Sequence, residues 1–332
     1  MRTIDESGRR PIIDGLIFFA ILSIFVNLLH IPSNLYETFV IEQRYGFNLS
    51  TLKTWLLDLL KTVFLLAILG GLVLSLLLAL VFYGGGFWWL WAWMGVGLFE
   101  LLMIWLFPVV IAPLFNKFEP VEDEALKSLM RTLMERAGLG IKGVFKMDAS
   151  KRSKHTNAYF TGIGKIKRIV LFDTLLGSHT GDEILAILAH ELGHWKKKHV
   201  LKQLIVWEVL SLVFFYVAAK GLNWPMLYQA FGFQERLPYV GLLLFGTILS
   251  PLCYFAQPLE SAISRRFERE ADDFVLDLME TPDPMSNALK RLAANNLDNL
   301  TPHPLYAWFY YSHPPLAQRI SRLNQASRIE AT

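Results

Sequence analysis

The sequence predicts a mainly α-helical, polytopic membrane protein with about five transmembrane helices and a small mixed α/β domain. Hydrophobic residues make up 53% of the 332 positions and charged residues only 18%, a balance too apolar for a soluble chain of this length. No acidic or basic residue occurs over the 38 positions from Thr62 to Phe99. Because a hydrocarbon core of roughly 30 Å takes about 20 helical residues, that stretch is long enough for two crossings.

Five apolar segments have the length of a membrane span. They cover residues 11–32, 55–83, 87–112, 201–222 and 237–259. Three consecutive glycines, Gly84 to Gly86, supply the turn between the second and third segments, and tryptophans crowd the start of the third as in an aromatic belt. Glu100 and Glu208 lie inside spans, where an ionisable side chain normally faces a protein interior or a wet cavity. The single cysteine, Cys253, excludes a disulfide framework and a cysteine-based metal site.

About 85 mostly polar residues separate the third and fourth segments, which is enough for a folded domain. Apolar residues at spacings of three and four, with charges between them, predict an amphipathic helix over 121–137. Short apolar runs then predict three strands, at Gly143 to Met147, Ala158 to Gly162 and Arg168 to Phe172. Residues 261–325 form a polar tail of helical pattern that prolines interrupt.

A second long helical pattern begins at Gly181, and we expect it to continue through His190 into the fourth span. If residues 183–220 form a single helix, His194 lies about ten residues, roughly 15 Å, from the apolar run that begins at Leu204. The candidate chemistry would then lie near the membrane surface and not at its centre.

The run from His190 to His194 reads HELGH within that helical pattern. Histidines four apart stand one above the other on one helix face, so their ring nitrogens can converge on one Zn²⁺. Glu191 lies beside them, close enough to act on a water at the metal without being a ligand. The alternative is a solvated helix face with two incidental histidines, but the chain has only eight histidines in 332 residues. The pattern therefore indicates a catalytic zinc site.

A zinc ion used for hydrolysis needs a third protein ligand and an open position. Five acidic residues downstream are candidates: Glu260, Glu268, Glu270, Asp272 and Asp273. The fourth and fifth spans form a hairpin, which brings the residues that flank it to the same side of the membrane. Glu268 and Asp272 share a helix face, so Glu268 can bind the metal while Asp272 accepts a hydrogen bond from a ligand imidazole. Glu270 points about 200° away from Glu268. The alternative for this stretch is a charged collar beside the membrane.

Five stretches together resemble the type I CAAX prenyl proteases, which are integral-membrane zinc metalloproteases. They are KRSKHTNAYFTG at 151–162, IVLFDTLL at 169–176, HELGH at 190–194, SRRFEREAD at 264–272 and YSHPPLAQR at 311–319. The resemblance extends from about Leu35 to Arg322. Heat-shock membrane metalloproteases share the zinc motif, but NAYFTG together with SHPP is closer to the CAAX group. Members of that family have two further membrane helices ahead of the segment that matches 11–32.

The resemblance implies a role for each motif. The implied zinc ligands, one ion per chain, are His190, His194 and Glu268, and the implied general base is Glu191. The implied substrate-binding residues are Asn157, Ala158 and Tyr159, and those near the scissile carbonyl are His313 and Arg319. Simpler alternatives are a turn residue for Asn157, a helix start for His313 and an ordinary helix-face charge for Arg319. The remaining histidines are interpreted as surface or packing residues: His30, His155, His179, His199 and His303.

These observations predict a membrane-embedded zinc metalloendopeptidase with membrane helices over 1–112 and 201–259. The protease domain would be formed by residues 113–200 and 260–332. The resemblance implies a prenylated C-terminal CAAX peptide or protein as substrate. One alternative is a membrane quality-control metalloprotease without a prenyl requirement. The other is a zinc-binding transport or sensor protein, although a transport path needs ligands at membrane mid-depth and these histidines lie outside the spans.

The basic residues indicate orientation. A net charge of +3 is too small and too scattered for a nucleic-acid partner, so the expected partners are the peptide substrate and the lipid bilayer. Ten basic residues near span ends fall on the catalytic side: Arg44, Lys53, Lys117, Lys196, Lys197, Lys198, Lys202, Arg265, Arg266 and Arg269. Five fall on the other side: Arg2, Arg9, Arg10, Lys220 and Arg236. The excess of positive charge predicts a cytoplasmic catalytic face.

Overall fold

The computed structural model of the protein describes residues 10–161, 166–279 and 281–330. Its helices are, in chain order, α1 (Pro11–Glu42), α2 (Leu52–Tyr83), α3 (Gly85–Phe115), α4 (Glu124–Arg136), α5 (Asp173–Ser178), α6 (Gly181–Lys196), α7 (His199–Leu222), α8 (Pro225–Gln229), α9 (Pro238–Met279), α10 (Asp283–Asn296), α11 (Pro304–Tyr310) and α12 (Leu316–Glu330). The strands are β1 (Phe118–Pro120), β2 (Gly140–Met147), β3 (Ala158–Thr161) and β4 (Ile166–Phe172). The predicted class, a mainly α-helical polytopic protein with a small α/β part, is confirmed.

The five predicted spans are confirmed as α1, α2, α3, α7 and α9, which are the helices of the described residues that are long and apolar enough to cross a membrane. Two of them extend ten or more residues beyond the predicted segments, and the other three by two or three residues at an end. Helix α1 continues to Glu42, and α9 is a single helix of 42 residues that includes the whole SRRFEREAD stretch. The last apolar span and the predicted third metal ligand therefore belong to one helix.

The chain divides into two compact units. The helical unit contains the chain up to Ile104 together with Leu204–Tyr254, and the mixed unit contains Trp105–Gln203 together with the chain from Phe255 onward. In the helical unit, a Cβ placed on Gly97 of α3 would lie 2.8 Å from Glu208 Oε1 of α7. Glu208 therefore faces a neighbouring helix, as its position inside a span predicts.

The sheet of the mixed unit has the strand order β1-β2-β4-β3. The central pair β2 and β4 is parallel, whereas β1 and β3 are antiparallel to their neighbours. The three predicted strands are confirmed as β2, β3 and β4, and the short edge strand β1 was not predicted. Strand β3 pairs with β4 on one side only, so among the described residues it is an edge strand of the sheet.

The core of the mixed unit explains the positions of its helices. Helix α4 confirms the predicted amphipathic helix: it begins after Asp123, whose side chain accepts a hydrogen bond from the Leu126 N–H, and buries Leu126, Met130, Leu133 and Met134. These side chains share one hydrophobic cluster with Ile169 and Leu171 of β4 and with seven buried apolar residues of α6. Burial of this kind contributes about 25 cal/mol per Å² of apolar surface. The cluster fixes α6 against the sheet.

The expectation that the HELGH helix continues into the fourth span is wrong. Helix α6 ends at Lys196, Lys198 has a φ of 57°, in the left-handed region, and α7 begins at His199. No glycine or proline marks this break, which is why the sequence pattern did not reveal it. The estimate of roughly 15 Å between His194 and the apolar run assumed a single helix. That assumption does not hold.

Two predictions concern residues outside the described part of the chain. Gly162, at the end of the second predicted strand, is one case. Arg2 and Arg9, which enter the count of basic residues, are the other.

Candidate active site

Helix α6, which carries the HELGH motif, begins at a complete capping box. Thr180 Oγ1 accepts a hydrogen bond from the Glu183 N–H at 3.3 Å, and Glu183 Oε2 accepts one from the Thr180 N–H at 2.8 Å. Glu183 is buried and pairs with Arg291, whose Nε lies 3.0 Å from Oε2. Burial raises the pKa of the Glu183 carboxyl, but the hydrogen bonds from Thr180 and Arg291 outweigh it and hold that pKa below its usual value. The cap therefore fixes the first turn of the motif helix.

Three potential ligand atoms converge further along this helix. The Nε2 atoms of His190 and His194 are 3.1 Å apart. Glu268 Oε2 lies 3.2 Å from His190 Nε2, and Glu268 Oε1 lies 3.2 Å from His194 Nε2. One ligand atom from each residue therefore lies within 4.8 Å of the other two, a spacing that a single metal ion can bridge. The structure brings together the three residues that the resemblance named as ligands.

A glycine inside the motif allows helix α9 to approach this closely. A Cβ on Gly193 would lie 2.9 Å from the Cα and 3.0 Å from the carbonyl oxygen of Ala271. Atoms at that distance cannot coexist without movement of one helix, and the obstacle is backbone and not a flexible side chain. Gly193 therefore lets α9 bring Glu268, three residues before Ala271, up to the histidines. The HELGH pattern alone gives no sign of this role, because the partner residue Ala271 lies far away in the chain.

Asp272 and Arg319 contact His190 at Nδ1, the ring nitrogen opposite to the one that faces Glu268. Asp272 Oδ1 lies 2.9 Å from His190 Nδ1, so the carboxylate contacts the ring nitrogen that faces away from Glu268. Arg319 of α12 is 7% exposed and donates two hydrogen bonds to Asp272, from Nε at 2.9 Å and from Nη2 at 2.6 Å. Its Nη1 lies 3.5 Å from Glu268 Oε2. Arg319 is therefore part of a buried ionic network around the ligands and not a solvated helix-face charge.

The same contacts change the proton affinity of His190. Burial lowers the pKa of its imidazole, but the contacts with the Asp272 and Glu268 carboxylates have the larger, opposite effect. Together they raise this pKa to about 9. A metal ion binds the neutral imidazole, so binding at neutral pH must displace a proton from this cluster. Metal affinity should therefore increase with pH.

Glu191 lines a cavity of about 540 Å³ in the mixed unit. His190, Asn157, Ala158, His313 and Arg319 line the same cavity. Burial is the main cause of a raised pKa for the Glu191 carboxyl, which suits a group that must take up and return a proton near neutral pH. Six of the residues singled out from the sequence therefore line one cavity, and His194 and Glu268 complete the cluster of potential metal ligands beside it.

Strand β3 presents Ala158 and Tyr159 on opposite faces. Ala158 is buried beside the cavity, and Asn157 Oδ1 accepts a hydrogen bond from the Ala158 N–H at 2.8 Å. The Tyr159 ring packs edge-on against Phe172, with a centroid distance of 6.4 Å, in a cluster with Met147 and Val170. The Tyr159 side chain thus packs against the sheet, and its backbone faces Val170 of the paired strand β4 and not the free edge.

His313 lines the same cavity from the segment between α11 and α12. Its side chain is 60% exposed, and its Nε2 lies 3.1 Å from Glu268 Oε1. Its Nδ1 lies 2.9 Å from the Oγ of Ser312. The ring therefore contacts Glu268 and is also accessible to solvent.

His199, interpreted from the sequence as a surface or packing residue, instead contacts a proposed metal ligand. His199 is 2% exposed, and its Nδ1 lies 3.1 Å from the Nδ1 of His194. Its Nε2 lies 3.1 Å from Glu270 Oε2. The break at Lys198 turns this ring back onto the motif helix, whereas residues five apart on a continuous helix would face different directions. Only knowledge of the break could have identified it.

The donor set fits a zinc ion. Two imidazoles and one carboxylate are a usual protein ligand set for catalytic zinc, which keeps its fourth position open. Within the described residues, Glu268 Oε2 is buried, and its polar neighbours include His190 Nε2 at 3.2 Å and Arg319 Nη1 at 3.5 Å. Arg319 balances part of the charge of this buried carboxylate, and a metal ion held by the three ligand atoms would balance it further.

Comparison with known proteins agrees with this geometry. Residues 120–327 match the model of peptidase family M48, and residues 2–117 match the CAAX prenyl protease N-terminal model, which describes five membrane helices. CAAX prenyl protease 1 of Saccharomyces cerevisiae is 36% identical over 94% of this chain and 72% of its own length. The homolog of Homo sapiens is 33% identical over 94% and 74%, respectively.

A solved structure extends the likeness to the fold. The crystal structure of S. mikatae Ste24p superimposes with a TM-score of 0.91 at 34% identity, covering 97% of this chain and 78% of the other. The resemblance stated from the motifs is thereby confirmed. The chain belongs to peptidase family M48, within the CAAX prenyl protease group, and is a multi-pass membrane metalloprotease.

Proposed function

We propose that the protein is a zinc endopeptidase that removes C-terminal residues from prenylated CAAX proteins or peptides. The observation that supports it most is the placement of Glu191 in a cavity beside the cluster of His190, His194 and Glu268. The names of the relatives, CAAX prenyl protease 1, support the choice of substrate.

The proposed ligands would hold one Zn²⁺ per chain through His190, His194 and Glu268. A bound zinc ion supplies Lewis acidity, which polarises a carbonyl and makes water acidic enough to lose a proton near neutral pH. Glu191 would accept that proton and later donate it to the leaving amine. Its raised pKa favours this exchange, because a carboxylate of ordinary pKa would hold the proton too weakly to return it efficiently.

The substrate would lie extended along β3. This strand is at the edge of the sheet, so its outer backbone groups can pair with an added strand. Asn157 and Ala158 border both that edge and the cavity, so the added strand would pass close to the proposed metal ligands. Tyr159 would support this strand without contacting the substrate, since its ring packs against Phe172 and its backbone faces Val170 of β4.

His313 and Arg319 would act in different ways. The exposed ring of His313 can turn from Glu268 towards the oxygen of a substrate carbonyl and donate a hydrogen bond as charge develops there. Arg319 is bound to Asp272 and would act by holding the ligand histidine in place. We therefore propose His313 as a catalytic residue and Arg319 as a positioning residue.

Replacement of the proposed base tests this mechanism. Glu191→Gln keeps the size of the side chain and should leave metal binding intact while lowering the peptidase rate about 100-fold or more. Metal content and peptide hydrolysis are measured on the same preparation, in parallel with Glu260→Gln, an exposed carboxylate of α9. Hydrolysis by Glu191→Gln at the parent rate would show that Glu191 is not the base.

The two alternatives predict different results. A quality-control protease would cleave peptides with and without a lipid at the same efficiency, and a zinc transporter would move metal into vesicles without cleaving peptides. We propose a cytoplasmic catalytic face, from the ten basic residues counted on that side against five on the other. The expected partners remain the peptide substrate and the bilayer, with no nucleic acid.

A further inference from the structure

The ring of His199 contacts Nδ1 of His194, whereas Nε2 of His194 faces the other two proposed metal ligands, His190 and Glu268. The contact joins the Nδ1 atoms of the two rings at 3.1 Å. The second nitrogen of His199, Nε2, lies 3.1 Å from Glu270 Oε2. Glu270, His199 and His194 thus form a continuous chain of polar contacts that ends at a proposed ligand.

The direction of the hydrogen bonds in this chain follows from the ligand role of His194. Its Nε2 lies between His190 and Glu268 and must offer a lone pair there, so the proton of the neutral ring sits on Nδ1. That N–H donates to His199 Nδ1, which leaves the proton of His199 on Nε2. The Nε2–H of His199 in turn donates to Glu270 Oε2. Both contacts are satisfied together only in this arrangement.

The surroundings hold the chain rigidly. The His199 ring is 2% exposed and stacks on Phe267, with centroids 4.2 Å apart and an interplanar angle of 9°. Glu270 Oε1 accepts a hydrogen bond from Arg266 Nε at 3.0 Å, which leaves Oε2 for His199. Neither His199 nor Glu270 can turn away without losing these contacts.

We propose that His199 and Glu270 are positioning residues that fix the tautomer and ring orientation of His194 for metal binding. The proposal rests on the function proposed above, in which His194 is a zinc ligand. A carboxylate that orients a ligand histidine directly is a common device, and Asp272 contacts His190 in that way. At His194 the carboxylate would act through a second imidazole.

The test is the zinc affinity of the full chain in detergent, measured by competition with a chromophoric chelator. Glu270→Ala and His199→Ala should weaken zinc binding by about 10- to 100-fold. His199→Asn should recover part of the loss, because Asn Oδ1 can accept the hydrogen bond of His194 in place of Nδ1. Glu260→Ala, which removes an exposed carboxylate from the same helix, should bind as the parent does.

The visible spectrum of the Co²⁺-substituted protein gives a second readout. It should change in His199→Ala and Glu270→Ala, because the orientation of a ligand ring affects the metal's geometry, and stay near that of the parent in His199→Asn. Thermal unfolding of the metal-free proteins checks that the variants fold. If His199→Ala does not fold, Glu270→Ala decides, since Glu270 is partly exposed and is not a packing residue of the core.

The outcomes separate the two proposals. Failure of the parent itself to bind zinc would remove the proposed function. A parent that binds zinc, with Glu270→Ala and His199→Asn equal to it in affinity and cobalt spectrum, would overturn the positioning role alone. Equal losses in His199→Ala and His199→Asn with none in Glu270→Ala would assign His199 to packing and would also overturn it.

Discussion

Glu268 differs from the other carboxylates of its helix in the number of imidazoles that it contacts. His190, His194 and His313 all lie within 3.2 Å of its oxygens, whereas Glu270 contacts one imidazole, that of His199, together with the cations Arg266 and Lys202. A ligand contributes more to metal affinity than a residue that orients one. We therefore expect Glu268→Ala to lower zinc affinity by more than about 100-fold and to exceed the loss in Glu270→Ala. Bound zinc at a fixed free concentration measures both, and similar losses would contradict the assignment of Glu268.

Glu183 makes the stability of the motif helix depend on pH. Its pKa in the folded protein lies below the unfolded value, so it contributes stability that is fully present above the unfolded pKa of about 4.3 and is lost as pH falls through the folded pKa. Glu183→Gln should therefore lower Tm most at neutral pH, and the difference from the parent should shrink below about pH 4.

Thermal unfolding over a pH series measures the Glu183 effect. Glu135→Gln, at an exposed position of α4, is the matched control and should change Tm little at any pH. A Tm difference for Glu183→Gln that does not vary with pH would indicate lost packing and not a lost charge.

At the level of elements, the approach of α6 and α9 depends on a single missing side chain. Gly193→Ala places a methyl group 2.9 Å from the Cα of Ala271, so the helices must separate or distort. Overpacking of this kind costs about 1–3 kcal/mol, and the displacement should also weaken zinc binding because Glu268 and the histidines lie on the two helices. Calorimetry and zinc titration measure the two effects.

Gly177→Ala is the control for this change. Gly177 lies in α5, with nothing within 4 Å of the added methyl group and an ordinary φ. Unchanged stability and zinc affinity in Gly193→Ala, as in Gly177→Ala, would show that α9 does not need this contact.

Elements with a strong local pattern could be predicted from the sequence, and contacts between elements could not. Apolar length and the three-four spacing depend only on neighbouring residues, so the five spans and helix α4 were predicted within a few residues at most ends. The break before His199 lacks glycine or proline and is accompanied by the stacking of His199 on Phe267, 68 positions later. The buried place of Arg319 likewise depends on Asp272, far away in the chain. Tertiary contacts of this kind leave no periodic signal.

For the whole molecule, the site and the membrane helices belong to one chain, and this restricts the substrates that the site can meet. The chain has five helices able to cross a bilayer among its described residues. A peptide that carries a lipid partitions into that same bilayer, with a gain of about 0.8 kcal/mol for each CH₂ group that it buries. A peptide without a lipid must reach the site from water.

We therefore expect a farnesylated CAAX peptide to be cleaved with a higher kcat/KM than its unprenylated twin, in detergent or in liposomes. The gain should appear mainly as a lower apparent KM, since a lipid remote from the scissile bond binds alike in the ground state and the transition state. Treatment with 1,10-phenanthroline should abolish cleavage of both peptides, and Glu191→Gln should cleave neither at an appreciable rate. Equal kcat/KM values for the two peptides would favour a quality-control protease over a prenyl protease, whereas cleavage that survives complete metal removal would contradict the zinc mechanism.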